Sequence, residues 1–191
     1  MENLIKQAEG GDVDSILQLK KFANDGNTQA EDALKNLYWD GKSEITGTVV
    51  LSYDVWKKLQ GTEFENCDKL INVILPDNET MIFDDTFSGC VNLKRAVLPE
   101  GLTSIADGVF RNCRSLSEVN LPESLKFIGR EAFAGCTSLH EIALPKNLTF
   151  IDSRAFKGCS NLTLKENALP KGLTLIDDDV FEDCPNVSIK F

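Results

Sequence analysis

Residues 121–143, LPESLKFIGREAFAGCTSLHEIA, contain the features that decide the fold of this chain. The segment begins with the pair Leu121-Pro122 and continues through Ile128 and Phe133 to Cys136. Cys136 stands three residues after Phe133, and the segment closes on a short apolar stretch around Ile142. The same order of residues recurs on both sides, so this segment is the unit of an internal repeat.

Three columns of residues keep one period along the chain. The cysteines are Cys67, Cys90, Cys113, Cys136, Cys159 and Cys184, at intervals of 23, 23, 23, 23 and 25. Three residues before each of them stand Phe64, Phe87, Phe110, Phe133, Phe156 and Phe181. Leu-Pro pairs recur at residues 75–76, 98–99, 121–122, 144–145 and 169–170. A fixed period of this length predicts a solenoid, in which each repeat buries its apolar face against its neighbours.

The repeat unit predicts a place for each column. Side chains alternate along a strand, so the stretch around Ile142 predicts stacked parallel strands with one buried and one exposed face. Proline lacks an N–H and ends the strand. The phenylalanines fill the interior, and the residues three places before them are predicted to cap a helical turn. These predicted caps are Asp84, Asp107, Ser153 and Asp178.

The unit resembles the BspA-type leucine-rich repeat, a family with repeats of roughly 23 residues. The resemblance implies a β-rich leucine-rich repeat solenoid, a right-handed, horseshoe-like stack of parallel strands with short helical turns. It covers residues 46–191. The first repeat, at 46–74, is degenerate, and the residues that still stand at the expected repeat positions are Trp56, Leu59, Phe64 and Cys67. The other repeats are predicted at 75–97, 98–120, 121–143, 144–168 and 169–191.

The cysteine column is interpreted as reduced, buried and small. Neighbouring coils would hold their Cβ atoms parallel and wider apart than a disulfide prefers. A zinc site is not expected, because no Cys-x-x-Cys pair exists and His140 is the one histidine. The sequence predicts no metal and no cofactor.

Residues 1–45 change to a helical period. Asp12 is a predicted N-cap for a helix carrying Ile16 and Leu19, which ends at residues 25–27. A second helix with Ala30 and Leu34 follows, and its spacing resembles half of a tetratricopeptide-like repeat. Two interpretations stay open: a helical cap over the first coil, or a partner-binding helical hairpin.

Charge narrows the range of partners. Lys and Arg number 20 and Asp and Glu 30, a net charge of −10, which argues against nucleic acid and against docking on anionic membranes. No apolar run approaches the roughly 18 residues of a membrane helix, so membrane insertion is not expected. The N-terminus has no secretory pattern. The expected compartment is the cytoplasm if Met1 is the native start, and the cell surface or the exterior if a leader was removed.

No catalytic arrangement is visible. A single histidine, no glycine-rich phosphate loop and no Gly-x-Ser-x-Gly motif argue against an enzyme. The sequence therefore predicts a non-catalytic module that binds a protein or peptide. The alternatives are a fragment of a surface protein for adhesion or host contact, and a small hydrolase or calcium-dependent carbohydrate binder using acidic clusters at residues 84–85 and 177–179.

Two surfaces are candidates for binding. The resemblance implies partners on the concave sheet, where the predicted exposed residues are Asn72, Ile74, Arg95, Val97, Glu118, Asn120, Glu141 and Ala143. An apolar stripe is predicted on the crossing segments, at Met81, Phe127, Phe150 and Leu175, with Ser104 in the same column. The alternative for the stripe is that neighbouring side chains fold over it. Weak self-association is expected through this stripe or through a terminal strand at residues 187–191.

Overall fold

A computed structural model describes residues 1–41, 44–58, 64–164, 168–176 and 179–188, with the backbone alone for Leu175 and Ile176. The helices are α1 (Glu2–Glu9), α2 (Val13–Asn24), α3 (Thr28–Leu37) and α4 (Tyr53–Trp56). The first five strands are β1 (Gly47–Val50), β2 (Leu70–Ile74), β3 (Met81–Ile82), β4 (Arg95–Val97) and β5 (Ser104–Ile105). They are followed by β6 (Glu118–Val119), β7 (Phe127–Ile128), β8 (Phe150–Ile151) and β9 (Leu175–Ile176).

The strands form two parallel sheets, and this confirms the predicted solenoid. Sheet A has the order β1-β2-β4-β6, and sheet B has the order β3-β5-β7-β8-β9. In sheet A, Asn72 pairs with Arg95 and Arg95 with Glu118, 23 residues apart each time. The strand register is therefore the sequence period, because identical positions of successive repeats lie side by side.

The interior between the two sheets is a column of aromatic rings. The rings of this column that are fully buried are those of Phe64, Phe87, Phe110, Phe133 and Phe156. Successive rings lie 5.2–5.6 Å apart, and the column continues to Phe181. At the N-terminal end Trp39 adds one more ring, 5.4 Å from Phe64. The side chain that follows α3 thus closes the end of the solenoid core.

The cysteine thiols are unpaired, and all are buried except the half-buried Cys67. Each buried Sγ donates to the carbonyl oxygen of the phenylalanine in the preceding repeat. For example, Cys136 Sγ lies 3.1 Å from Phe110 O, and Cys113 Sγ lies 3.0 Å from Phe87 O. Besides filling space, as predicted, these side chains satisfy carbonyl groups that burial would leave without water.

The predicted helical turns before the phenylalanines are wrong. In the described residues these segments are irregular turns, because Asp85, Glu131 and Arg154 take left-handed backbone conformations that interrupt a helix. Asp84 and Asp107 consequently do not cap their own turns. Asp84 Oδ1 accepts from Asp107 N, and Asp107 Oδ1 from Arg130 N, so each carboxylate joins its repeat to the next. The Ser153 side chain makes no capping bond to the described residues, and Asp178 itself is not among them.

Backbone hydrogen bonds in these turns run in one direction. Gly108 N donates to Arg130 O at 2.8 Å, and Phe110 N donates to Ala132 O at 2.7 Å. In the turns between Asp85 and Gly135, every second N–H donates to the carbonyl oxygen 22 residues ahead, and Phe156 and Gly158 donate to carbonyl oxygens 24 residues ahead. The bonding pattern joins each turn to the following repeat in the same way.

The N-terminal region contains three helices, although the sequence predicted two. Asp12 caps α2 as predicted, with its Oδ2 2.9 Å from Ser15 N. The additional helix is α1. The three helices pack on the outward face of sheet A, where Ile16, Leu19 and other apolar side chains cover Val50 and Ile74. They are more than the predicted cap over the first coil, since they also cover part of a sheet face.

Pairing in sheet A shortens toward the C-terminus. Four residue pairs join β1 to β2, three join β2 to β4 and two join β4 to β6. Beyond β6 in sheet A, the one further pairing among the described residues is the parallel bridge between Glu141 and Thr163. The long pairings lie under the helices, while the short ones lie where the outward face is open.

Candidate functional site

The helices divide the predicted concave surface into a covered and an open part. Asn72, Ile74 and Val97 lie under or beside the helices, whereas Glu118, Asn120, Glu141 and Ala143 are exposed. The prediction that Ile74 is exposed is wrong, because Ile74 is fully buried beneath the helices. Val97 is half-buried and packs against the same helical cluster. These two residues hold the helices in place.

Polar contacts fix the edge of the covered part. Asn72 Nδ2 donates to Thr48 Oγ1 at 2.9 Å, and Thr48 Oγ1 donates to the Gly11 carbonyl oxygen at 2.9 Å. Arg95 reaches both sides, with its guanidinium 2.9 Å from Asp14 of α2 and 3.4 Å from Glu118 of β6. Arg95 is therefore a junction between the helices and the open sheet.

A groove runs between α2 and the open part of sheet A. Its volume is about 660 Å³, and Leu17 of α2 forms one wall. Val97 and Asn120 lie on its floor, and the loops that follow the strands bring in Pro99 and Pro122. We call this hollow the sheet A groove.

A second hollow continues the sheet A groove toward the C-terminus. It has a volume of about 400 Å³ and shares Val119, Asn120 and Glu141 with the first hollow. Its remaining walls include Ala143 and Thr163. Together the two hollows bring six of the eight predicted residues into one surface. These residues are Arg95, Val97, Glu118, Asn120, Glu141 and Ala143.

Sequence reasoning missed the other side of this groove. Leu17 belongs to a helix that was not assigned to the sheet face, and Glu100 and Glu123 follow the Leu-Pro pairs. The acidic residue after each of the prolines 99 and 122 was a visible signal, because it repeats with the period of the solenoid. The predicted columns ended at the prolines, and this excluded both glutamates.

The predicted apolar stripe lies on the outward face of sheet B. Met81 pairs with Ser104, Ser104 with Phe127 and Phe127 with Phe150. Met81 is 44% exposed, and the half-buried rings of Phe127 and Phe150 stack at 5.2 Å. The side chain of Leu175 lies outside the described residues. Met81 therefore stays exposed among the described residues, and the rings of Phe127 and Phe150 stack on each other.

Phe83 extends the stripe and was not predicted. It is 39% exposed and stands two residues after Met81, on the same face of the chain. Its ring lies 6.2 Å from that of Trp56, which α4 buries at the start of the solenoid. The period of two along a strand was the signal that could have found Phe83.

The acidic clusters named as calcium candidates have other contacts. Asp84 accepts a backbone hydrogen bond, and Asp85 forms an ion pair with Arg111 at 2.8 Å. Residues 177 and 178 lie outside the described part of the chain. Among the residues that are described, no group of three or more His, Cys, Asp or Glu side chains is placed to hold a metal ion. No helix in that part of the chain is long and apolar enough to cross a bilayer.

Comparison with known families identifies the repeat. The profile of the BspA type leucine rich repeat region matches residues 57–188 as six copies. The chain belongs to this BspA-type family. The resemblance seen in the repeat unit is thereby confirmed, whereas a tetratricopeptide-like N-terminus is not shown. For a leucine-rich repeat protein of this type, the family indicates an interaction or surface module without naming a partner.

Solved structures show the same fold. A leucine-rich repeat protein of T. pallidum is 35% identical, with a TM-score of 0.64 over 73% of this chain and 66% of that one. A leucine-rich repeat protein from Bacteroides ovatus is 26% identical, with a TM-score of 0.56 over 74% of this chain and 41% of that one. A leucine rich cell surface protein from Faecalibacterium prausnitzii is 23% identical, with a TM-score of 0.52 over 76% of this chain and 47% of that one, and supports the fold alone.

This BspA-type chain thus spans about two thirds of the T. pallidum protein and less than half of the other two. No curated protein matches it.

Proposed function

We propose that this chain is a non-catalytic module that binds a protein or peptide in the sheet A groove. The observation that carries the proposal is the partial cover of sheet A. The helices bury its first strands and leave an open face of exposed side chains from β6 onward. A wall on one side and exposed strand positions on the floor suit an extended chain better than a small molecule, which needs a concave and mostly enclosed site.

The fold supports this proposal because the groove is held rigidly. Its floor belongs to strands whose inward residues, Ala96 and Val119, are buried in the solenoid core. Its wall is fastened by the ion pairs of Arg95 with Asp14 and of Lys20 with Asp77, the latter at 2.6 Å. A preformed groove loses little conformational entropy when a partner binds.

Selection from a random ten-residue peptide library displayed on phage tests the proposal. Asn120 lines both hollows and is exposed, so Asn120→Trp fills the groove without disturbing the core. We expect the wild-type chain to enrich peptides that lose at least tenfold in affinity for Asn120→Trp. Ser160→Trp is the matched control, because Ser160 is exposed and lies outside the groove. Enriched peptides that bind Asn120→Trp as tightly as the wild type would contradict the proposal.

We propose a weaker contact between two copies of the chain along the apolar stripe. The stripe and its neighbours Phe83, Ala106 and Gly129 are uncharged up to Asp152, although the chain carries a net charge of −10. An uncharged face is the part of an acidic protein that a second copy approaches with least repulsion.

The size of the stripe sets the strength of this contact. Five strands spaced about 4.8 Å apart give a strip about 20 Å long and two side chains wide, roughly 200 Å². A stable dimer needs roughly 800 Å² per partner. The contact is therefore expected only at high protein concentration. The terminal strand is the other expected contact, and its residues 189–191 lie outside the described part of the chain.

A further inference from the structure

We infer that the partner of the sheet A groove is an extended peptide segment carrying lysine or arginine side chains. The inference rests on the proposed function and adds the chemistry of the partner to it. It comes from the arrangement of charge in the groove.

The carboxylates of the groove lie in two rows with an uncharged strip between them. Glu118 and Glu141 occupy the same position in successive repeats, and Glu100 and Glu123 occupy another. Between these rows run Val97, Asn120 and Ala143, which carry no charge. Successive members of a row are about 4.8 Å apart, because that is the spacing of neighbouring strands.

The negative charge of the groove is only partly neutralised within the described part of the chain, where Asp77 pairs with Lys20 and Glu118 with Arg95. The lining contains five carboxylates and one guanidinium, that of Arg95. Arg95 is itself engaged by Asp14 and Glu118. Among the ion pairs of the described residues, none involves Glu100, Glu123 or Glu141. Glu100, Glu123 and Glu141 therefore have no complementary cation among the described residues.

A basic extended peptide matches this pattern. Its backbone lies over the uncharged strip, where the Asn120 amide offers both a donor and acceptors. Its alternate side chains point to opposite sides, so lysines or arginines at neighbouring positions reach the two glutamate rows. An acidic segment in the same place would be repelled by both rows, and the net charge of −10 adds to the repulsion at long range.

Two phage libraries of ten-residue peptides test the inference. Both are displayed to the full chain at about 50 mM salt. One contains lysine and arginine without acidic residues, and the other contains aspartate and glutamate without basic residues. We expect only the basic library to yield peptides whose binding is lost on Asn120→Trp. Such peptides from the acidic library would overturn the inference and leave the proposed function standing. No Asn120→Trp-sensitive binder from either library, together with none from the random library, would overturn both.

Charge variants then separate the effect of the groove carboxylates on peptide affinity from the effect of the net charge of the molecule. A synthetic peptide from the basic library is measured by fluorescence anisotropy against Glu100→Gln/Glu118→Gln/Glu141→Gln. We expect a loss of about tenfold in affinity, since exposed ion pairs each contribute a few tenths to 1 kcal/mol. The matched control is Glu2→Gln/Glu9→Gln/Glu65→Gln, which makes the same charge change at exposed positions outside the groove. Less than a twofold loss is expected for the control, and equal losses in both variants would overturn the inference.

Discussion

Two phenylalanines of one repeat show how burial decides what a residue contributes. Phe133 is fully buried and stacks on Phe110 and Phe156 at 5.3 and 5.2 Å. Phe127, six residues earlier, stacks on Phe150 at 5.2 Å but stands on the outward face of sheet B. Ring stacking is thus common to both residues, whereas removal from water is complete only for Phe133.

Replacing Phe133 or Phe127 by alanine separates the contribution of burial from that of ring stacking. Phe133→Ala should lower the free energy of unfolding by about 3–5 kcal/mol, because it leaves a cavity in the aromatic column. Phe127→Ala, the matched control, should cost about 1 kcal/mol or less. Urea unfolding followed by circular dichroism measures both values. Equal losses would show that stacking, and not burial, holds the column together.

Gly89 illustrates the backbone requirement of the turns. Its φ is +74°, and a Cβ at this position would lie 2.1 Å from Asn66 Oδ1 in the preceding repeat. Gly89→Ala should therefore destabilise the chain by at least about 1 kcal/mol, as left-handed backbone is costly for alanine. At Gly101 the nearest atom to an added Cβ is 3.8 Å away, so Gly101→Ala is the control and should be close to neutral. Thermal unfolding of the two variants checks the difference.

The cysteine column makes stability depend on pH. Burial raises the pKa of Cys90 to about 12 from an ordinary value of 9.0, and burial also raises the pKa of Cys113. Between pH 9 and pH 12 the unfolded chain has lost the Cys90 thiol proton that the folded chain retains. The contribution of the buried thiol to the free energy of unfolding is therefore fully present below pH 9 and is lost as the pH rises toward 12.

Cys90→Ala should reduce the dependence of the free energy of unfolding on pH. Between pH 8 and pH 10.5 the wild type should lose up to about 2 kcal/mol more than Cys90→Ala. Urea unfolding at the two pH values measures the loss. Val109→Ala removes buried carbon atoms without a thiol and should keep the wild-type pH dependence. A Cys90→Ala variant with an unchanged pH dependence would show that this thiol does not govern alkaline unfolding.

At the scale of elements, the helices and sheet A depend on each other. Helices α2 and α3 followed from their apolar spacing and from the cap at Asp12, but α1 was missed because its eight residues offer only one full apolar turn. The packing partner of the helices was missed as well. An amphipathic pattern identifies the apolar face of a helix, but not the surface it covers. Ile74 consequently appeared to belong to an open column when it is the centre of a second core.

Ile74→Asn tests this second core. An amide beneath α2 and α3 has no room for water, so we expect a loss of about 3 kcal/mol in the free energy of unfolding. The helices should also be cleaved faster by trypsin, whose sites there include Lys20 and Lys21. Ala143→Asn places the same side chain three repeats further along the column, at an exposed position, and should leave both measurements unchanged. Wild-type proteolysis of Ile74→Asn would contradict the packing described here.

At the scale of the whole molecule, the period predicted the stack, and the helices determined which part of it is open. The column that contains Arg95 and Glu118 followed from alternation along the strands, and the parallel register of β2, β4 and β6 confirms it. The groove could not be derived in this way, because one wall comes from α2. The contact between distant segments depends on the direction in which the chain leaves α3, and no local pattern encodes that direction.

The apolar stripe supports a prediction about the solution state. The mass measured by light scattering should rise with concentration for the wild type and stay that of one chain for Phe127→Ser/Phe150→Ser. Phe22→Ser is a control, since Phe22 is exposed on α2 and lies outside sheet B. A wild-type mass that is constant and equal to one chain at all concentrations would remove the stripe as a contact between copies.

The one-way hydrogen bonds of the turns have a consequence for changing the length of the molecule. In the backbone bonds of these turns, each repeat accepts from the N–H groups of its predecessor and donates to the carbonyl oxygens of its successor, as Gly108 N does to Arg130 O. A duplicate of residues 121–143 inserted between repeats would therefore fit in the native orientation. Its two sides present different hydrogen-bonding groups, so the reverse orientation would not fit. An insertion of another size keeps this alignment only where the extra residues lie outside the ring and thiol columns, as in the 25-residue interval between Cys159 and Cys184, across which Phe156 and Phe181 still stack at 5.4 Å. Proteins of this family could thus be lengthened or shortened by whole repeats, while the identity of each surface residue stays free to vary.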